Sequence, residues 1–334
     1  MSQSKQSIQI PVIDISSLIS WKNSKRQTAK EIRRACTEHG FFYISHHGIP
    51  FRLQSELERL SHKFFAQSHE AKMDIEMPRA GIAWRGYFPV GSELTSGQAD
   101  LKEGLYFGED LPSHHPLVQA KTPMHGANLY PEIPGFRETI TSYLSNMSLL
   151  GQRLMQGIAL SLDLPEDYFY WHYTENPLLL FRIFHYPAAN NSVEQIPWGV
   201  GEHTDYGLLT ILRQDEQGGL EVKSGHQWIA APPIANTFIC NIGDMLDRMT
   251  GGFYRSTPHR VLNQSGKSRL SWPFFFDPNF SAEVRALPIT QQVNDDYQQR
   301  WDKTNIHSFK GTYGDYLLSK VGKVFPELAS TTNK

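Results

Sequence analysis

The sequence predicts a mixed, β-rich fold, in which a strand-rich core is wrapped by α-helices. Three observations predict it. From Leu178 onward, short β-prone runs such as "LLLFRIFHYP", "LLTILRQ" and "TFICNIGD" alternate with turn signals, at the spacing of a sandwich or barrel. The first half instead carries segments of helical period. No repeat, low-complexity tract or clean linker divides the 334 residues, so the chain is read as a single domain, 1–334.

In chain order, "IPVIDIS" (10–16) reads as a strand. "TAKEIRRACTEHG" (28–40) reads as a helix stopped by Gly40. "FFYISHHG" (41–48) reads as a second strand, and "LQSELERLSHKFFAQS" (53–68) as an amphipathic helix. The region from 80 to 130 is Gly-rich and reads as loop. A long proline-free periodic segment, 134–164, closes the N-terminal mixed α/β region, 1–177. The core follows over 178–282, with "KSGHQW" and "NQSGKSR" as hairpin loops. A C-terminal helical region, 283–334, contains the helix "FKGTYGDYLLSKVG".

Composition bounds the partners. Hydrophobic residues make up 40% and charged residues 20%, which excludes a disordered chain. Net charge is −2 with no basic run, so no nucleic-acid partner is expected. No apolar stretch approaches the roughly 18 residues of a membrane helix, and the N-terminus lacks a signal-peptide segment. Two cysteines, Cys36 and Cys240, sit in apparent element interiors. They read as buried thiols in a reducing, cytoplasmic setting.

The chemistry concentrates in "WGVGEHTDYGLLTILRQD". If this is one strand, His203 and Asp205 project from one face. A His-x-Asp pair alone is common by chance, and a single His259 is more often structural than a ligand. Their conjunction in one β-rich segment weighs differently. With His259 of "STPHRVLN" as a third ligand from another strand, two imidazoles and a carboxylate would leave metal positions open, the arrangement of non-haem Fe(II) oxygenases.

Arg269 and Ser271, in "SRLSWPFFFDP", also share a strand face, opposite Leu270, Trp272 and Phe274. Apolar neighbours imply burial, and a buried guanidinium calls for an anion. An Arg with an adjacent hydroxyl suits a carboxylate.

The phrases "HTDYGLLTILRQDEQGGLEV", "NIGDMLDRMTGGFYRSTPHRV" and "RLSWPFFFDPNF" resemble the isopenicillin N synthase-like branch of the Fe(II)/2-oxoglutarate-dependent dioxygenases. "IPVIDIS", "EHGFFYISHHGIP", "RGYFP" and "DLKEGLYFG" extend the resemblance over most of the chain. It implies a distorted double-stranded β-helix, or jelly-roll, over 178–282. It places His203, Asp205 and His259 at the iron-ligand positions, and Arg269 and Ser271 where the distal carboxylate of 2-oxoglutarate binds. Tyr186 falls where many members contact cosubstrate or substrate. "FRIFHYP" departs from the plant-like Arg-x-Asn-Tyr-Tyr-Pro by Phe184 and His185. Core packing is expected for Phe184, and His185 is left open. Trp84, Arg85, Tyr87 and Tyr106 lie in segments resembling the family's pocket mouth, where each is a candidate substrate contact or ordinary packing.

The resemblance implies an oxidoreductase using Fe(II), 2-oxoglutarate and O2. It would hydroxylate or desaturate a C–H bond of a small organic molecule and release succinate and CO2. Retention of Asp205 argues against halogenation, because halogenating relatives lack this carboxylate. Two alternatives stay within the family: an oxidase that uses no 2-oxoglutarate, and fragmentation of 2-oxoglutarate to ethylene. A non-catalytic jelly-roll binding protein is a third, disfavoured because an uncompensated buried cluster of this kind would be costly. A monomer or weak homo-oligomer is expected.

Overall fold

The computed structural model describes residues 9–20, 24–95, 97–188, 198–225, 227–290 and 300–325. The first half contributes six strands: β1 (Val12–Asp14), β2 (Phe41–Ser45), β3 (Gly86–Phe88), β4 (Leu94–Thr95), β5 (Gln98–Ala99) and β6 (Glu103–Gly108). The second contributes β7 (Leu178–Tyr186), β8 (Val200–His203), β9 (Leu209–Gln214) and β10 (Leu220–Ser224). After these come β11 (Gln227–Ala230), β12 (Phe238–Ile242), β13 (His259–Val261) and β14 (Arg269–Asp277).

Two sheets form the core. The larger has the order β1-β2-β12-β9-β14-β7-β6-β3, and the smaller the order β11-β10-β13-β8. Pairing is antiparallel except between β1 and β2. The large sheet takes strands from both halves of the sequence. Along β14, Leu270, Trp272, Phe274 and Phe276 face away from the small sheet and are fully buried. The helix Phe136–Ser161 covers that back face, with Tyr143 packed 4.9 Å from Phe181 and Gly151 seated on Phe276. The helix Phe51–Phe65 covers the neighbouring part, where the Trp272 indole donates to Ser61 Oγ at 3.0 Å. The other face of β14, from Arg269 to Asp277, lines a cavity between the sheets.

The expected helices are observed over Lys25–Glu38, Phe51–Phe65, Phe136–Ser161 and Tyr313–Val324. The first ends as expected: Gly40 takes a positive φ of 67°, and its N–H bonds Ala35 O at 2.9 Å. Cys36 and Cys240 are buried free thiols.

Three expectations are corrected. The region 80–130 is not all loop: β3 and β6 extend the large sheet there. The glycines that suggested loop, Gly104 and Gly108, lie inside β6, where Gly104 admits the rings of Phe88 and Phe184. "NQSGKSR" is not a hairpin loop, because β13 and β14 belong to different sheets. "WGVGEHTDYGLLTILRQD" is not one strand. It ends β8 at His203, crosses between the sheets, and resumes as β9 at Leu209. "KSGHQW" does join the hairpin pair β10 and β11, with His226 itself outside the described residues. The expected C-terminal helical region includes 291–299 and 326–334, which also lie outside them.

Candidate metal centre

His203 closes β8, and His259 opens β13. The two strands pair with these residues in register. Asp205 lies in the crossing segment, held by a backbone bond from Asp244 N–H to Asp205 O at 2.8 Å. Its proximity to His203 therefore comes from the crossover and not from a shared strand face. One ligand atom from each of His203, Asp205 and His259 lies within 4.8 Å of the others. Nε2 of His203 and Nε2 of His259 stand 3.9 and 3.8 Å from Asp205 Oδ1.

The surroundings orient these donors. Nδ1 of His203 bonds Gly201 O at 2.8 Å, and Nδ1 of His259 bonds Thr257 O at 3.2 Å. A backbone carbonyl can only accept, so each Nδ1 carries the proton and each Nε2 lone pair is free for a metal. Asp205 Oδ2 accepts from Thr210 Oγ1 at 2.6 Å and Asn241 Nδ2 at 2.7 Å, leaving Oδ1 to the centre. Burial, then the neighbouring His203, push His259 down to about 4. Burial also lowers His203. Burial by itself raises the Asp205 carboxyl, but the two imidazoles and the bonds from Asn241 and Thr210 bring it below its ordinary value. Near neutrality the set is two neutral imidazoles and one carboxylate, which fits a divalent metal with open positions.

The centre opens into a cavity of about 480 Å³. At one end stands Arg269, 1% exposed. Its Nε donates to Gly218 O at 2.5 Å, and one terminal nitrogen lies 3.4 Å from Gln214 Oε1. The other terminal nitrogen, NH1, is buried without a partner. The Tyr186 ring lies against the guanidinium at 4.6 Å, and Ser271 follows on the same face. Leu180, Leu212, Leu220, Val200 and Val261 supply apolar walls. This arrangement can hold one carboxylate in a water-poor space beside a metal.

The four candidate substrate contacts lie elsewhere, and that expectation is corrected. Trp84, Arg85, Tyr87 and Tyr106 are buried and do not line the cavity. Arg85 donates to Met124 O at 2.7 Å, and burial lowers its guanidinium to about 10. Tyr87 donates to Glu103 at 2.6 Å, and Tyr106 to Glu93 at 2.8 Å. Their aromatic bodies fill core, and their polar tips satisfy buried carboxylates. Phe184 packs as expected while also reaching the cavity wall. His185 turns away, stacked on Phe65 and bonded to Glu103 at 2.8 Å.

The structure adds residues that the sequence reading missed. Glu93 and Lys102 reach the cavity from the region read as loop. Thr210 and Asn241 were polar interruptions in apolar strands, a visible signal. Asp277 continues the alternation of Arg269, Ser271, Pro273 and Phe275 by one further step.

Comparison with known proteins matches two family models: a non-haem dioxygenase N-terminal family over residues 10–133 and the 2OG-Fe(II) oxygenase superfamily over 177–278. A Dictyostelium discoideum protein named "Probable iron/ascorbate oxidoreductase" is 53% identical, covering 96% of both chains. A homoarginine-6-hydroxylase of Glycine max is 35% identical, covering 96% of this chain and 98% of the relative. A full-length Neurospora crassa protein crystallised with alpha-KG matches with a TM-score of 0.79 and 28% identity, covering 96% and 98%.

Proposed function

The chain belongs to the 2OG-Fe(II) oxygenase superfamily, and we propose that it oxidises a C–H bond of a small organic molecule by hydroxylation or desaturation, with Fe(II), 2-oxoglutarate and O2, releasing succinate and CO2. The observation that carries this reading is the convergence of three oriented donor atoms beside a buried, partly unpartnered guanidinium.

In this reading His203, Asp205 and His259 hold the iron. Iron with 2-oxoglutarate supplies the oxygen-activating chemistry when bound. The chain's own residues position and shield. Thr210 and Asn241 fix the carboxylate ligand, and the backbone carbonyls of Gly201 and Thr257 fix the imidazoles. Arg269 receives the distal carboxylate of 2-oxoglutarate on its unpartnered NH1, with Ser271 beside it and Tyr186 supporting the guanidinium from one face. The apolar walls keep water from the reacting space. The relative named for homoarginine makes amino acids the first substrate class to test.

A Dictyostelium discoideum relative named 1-aminocyclopropane-1-carboxylate oxidase, 42% identical over 95% of both chains, favours a second reading, an oxidase in which Arg269 and Ser271 grip the substrate's own carboxylate. Incubating Fe(II)-loaded protein with 2-oxoglutarate, O2 and an amino-acid panel separates the two. Succinate formed in step with an oxidised product supports the dioxygenase. Oxidised product without succinate supports the oxidase.

We also read the protein as a monomer or weak homo-oligomer in a reducing, cytoplasmic setting; two buried free thiols support the reducing setting. Among the described residues no helix is long and apolar enough to cross a membrane.

A further inference from the structure

The helix Tyr313–Val324 forms one wall of the cavity, where Tyr313, Leu317, Lys320, Val321 and Val324 line it. At 3.6 residues per turn these five positions share one helix face, the roughly 100° stripe that an amphipathic helix buries. Two hydroxyls fix the rotation of that face. Tyr313 donates to Asp277 Oδ2 at 2.5 Å, and Tyr316 to Asp244 Oδ2 at 2.8 Å. Leu317, Val321, Val324 and the ring of Tyr313 suit an apolar wall. Lys320 does not.

Lys320 is half-buried. Its Nζ stands 5.3 Å from the ring centre of Tyr316 and 6.0 Å from that of Tyr206. Tyr206 also lines the cavity and directly follows the metal-ligand candidate Asp205. Among the described residues Lys320 has no ion pair and no hydrogen bond. Its Nζ nevertheless keeps accessible surface, unlike the sealed Nε of Arg182.

The other charged groups along the cavity are committed. Lys102 and Arg182 pair with Glu93, at 2.8 and 3.4 Å, and Lys102 also pairs with Asp100. Asp302 accepts from the Thr304 N–H at 3.0 Å, and Asp277 from Tyr313. Arg269 is taken by 2-oxoglutarate in the oxygenase reading, and Lys323 is exposed. Asp244 feels the charge of Lys320 but already accepts from Tyr316, Ser256 and Arg300. An ammonium set into an apolar wall without a counter-ion favours an anionic ligand.

We propose that Lys320 is a specificity-determining residue that binds a carboxylate of the substrate, while the apolar face around it holds the substrate body. One ammonium balances the single charge of a carboxylate, whereas a phosphate monoester carries about −1.5 to −2. This rests on the oxygenase reading and deepens it by naming an organic acid as the substrate class and the C-terminal helix as the element that selects it.

The test uses the full-length protein loaded anaerobically with Fe(II) and saturating 2-oxoglutarate, so that the Arg269 end is filled. Loading is verified first by iron and 2-oxoglutarate stoichiometry. Binding of hexanoate, benzoate and phenylacetate is then compared with binding of their primary amides, which keep the shape and lose the charge. At least one acid should bind roughly tenfold or more tighter than its amide. Lys320→Met should erase that preference and leave 2-oxoglutarate affinity as in wild type. Lys323→Met, at the exposed neighbouring lysine, should leave the preference intact. Lys320→Gln stands in if Lys320→Met does not fold, and should neither fold, the wild-type comparison of acids and amides decides alone. Failure to load Fe(II) and 2-oxoglutarate would overturn the oxygenase reading. Normal loading would overturn this assignment alone in any of four cases: no acid preferred over its amide, a preference that survives in Lys320→Met, one lost in Lys323→Met, or a 2-oxoglutarate affinity that falls in Lys320→Met.

Discussion

His203 and His259 face each other across two paired strands, their ring centroids 4.2 Å apart and their Nε2 atoms converging on one oxygen of Asp205. Each imidazole is fixed from behind by a backbone carbonyl. The centre is therefore built by strand register, and its occupancy should depend on each donor.

His259→Ala should abolish iron binding or weaken it strongly. Phe41 packs edge-on against the His259 ring at 5.3 Å, so folding is checked by circular dichroism in the same preparation. An unchanged iron stoichiometry and affinity in a folded variant would show that the ligand assignment is wrong.

Asn241→Ala removes one of two bonds that hold Asp205 Oδ2. The iron affinity should fall by about 10- to 100-fold, as for other residues that orient a metal ligand. Equilibrium competition against a chelator measures it, and an affinity equal to wild type would remove Asn241 from the site.

Arg269→Lys keeps the charge and loses the planar fork. The apparent affinity for 2-oxoglutarate should weaken by roughly tenfold or more, with iron binding retained. Equal affinity in the two proteins would place the cosubstrate carboxylate elsewhere.

Asp277 predicts a pH dependence of stability in the metal-free protein. Burial raises its carboxyl to about 7 in the folded chain, against an ordinary value of 3.8. The folded state thus retains a proton that the unfolded state has released. The contribution of this group is complete below its unfolded value and is lost as pH rises through about 7. Asp277→Asn should remove that loss, so its melting temperature should gain on wild type between pH 6 and pH 8. Parallel melting curves over that range would contradict the burial argument.

Much of this site was legible because β-strand alternation writes one face of a sheet into every second residue. Arg269 and Ser271 followed from that rule, and Asp277 was available by the same rule. The crossover between His203 and Leu209 was not legible. Its cause is tertiary: Asp205 is held by Thr210 and Asn241 from the large sheet, and a periodicity reading sees no partner from another strand. The aromatic residues of the 80–110 segment misled for a related reason. Tyr87 and Tyr106 cap buried Glu103 and Glu93, and residue type alone does not separate a tyrosine that reaches a substrate from one that satisfies a core carboxylate. The strands β3 and β6 were hidden by glycines that serve close packing and not turns.

The most direct test of an Fe(II)- and 2-oxoglutarate-binding centre is an anaerobic titration followed by visible absorption. Fe(II) is added to the protein first, then 2-oxoglutarate. The structure predicts a weak charge-transfer band that saturates at one 2-oxoglutarate per iron, is absent in His259→Ala, and requires a higher 2-oxoglutarate concentration in Arg269→Lys. No band in iron-loaded wild type, or the same band in His259→Ala, would contradict it.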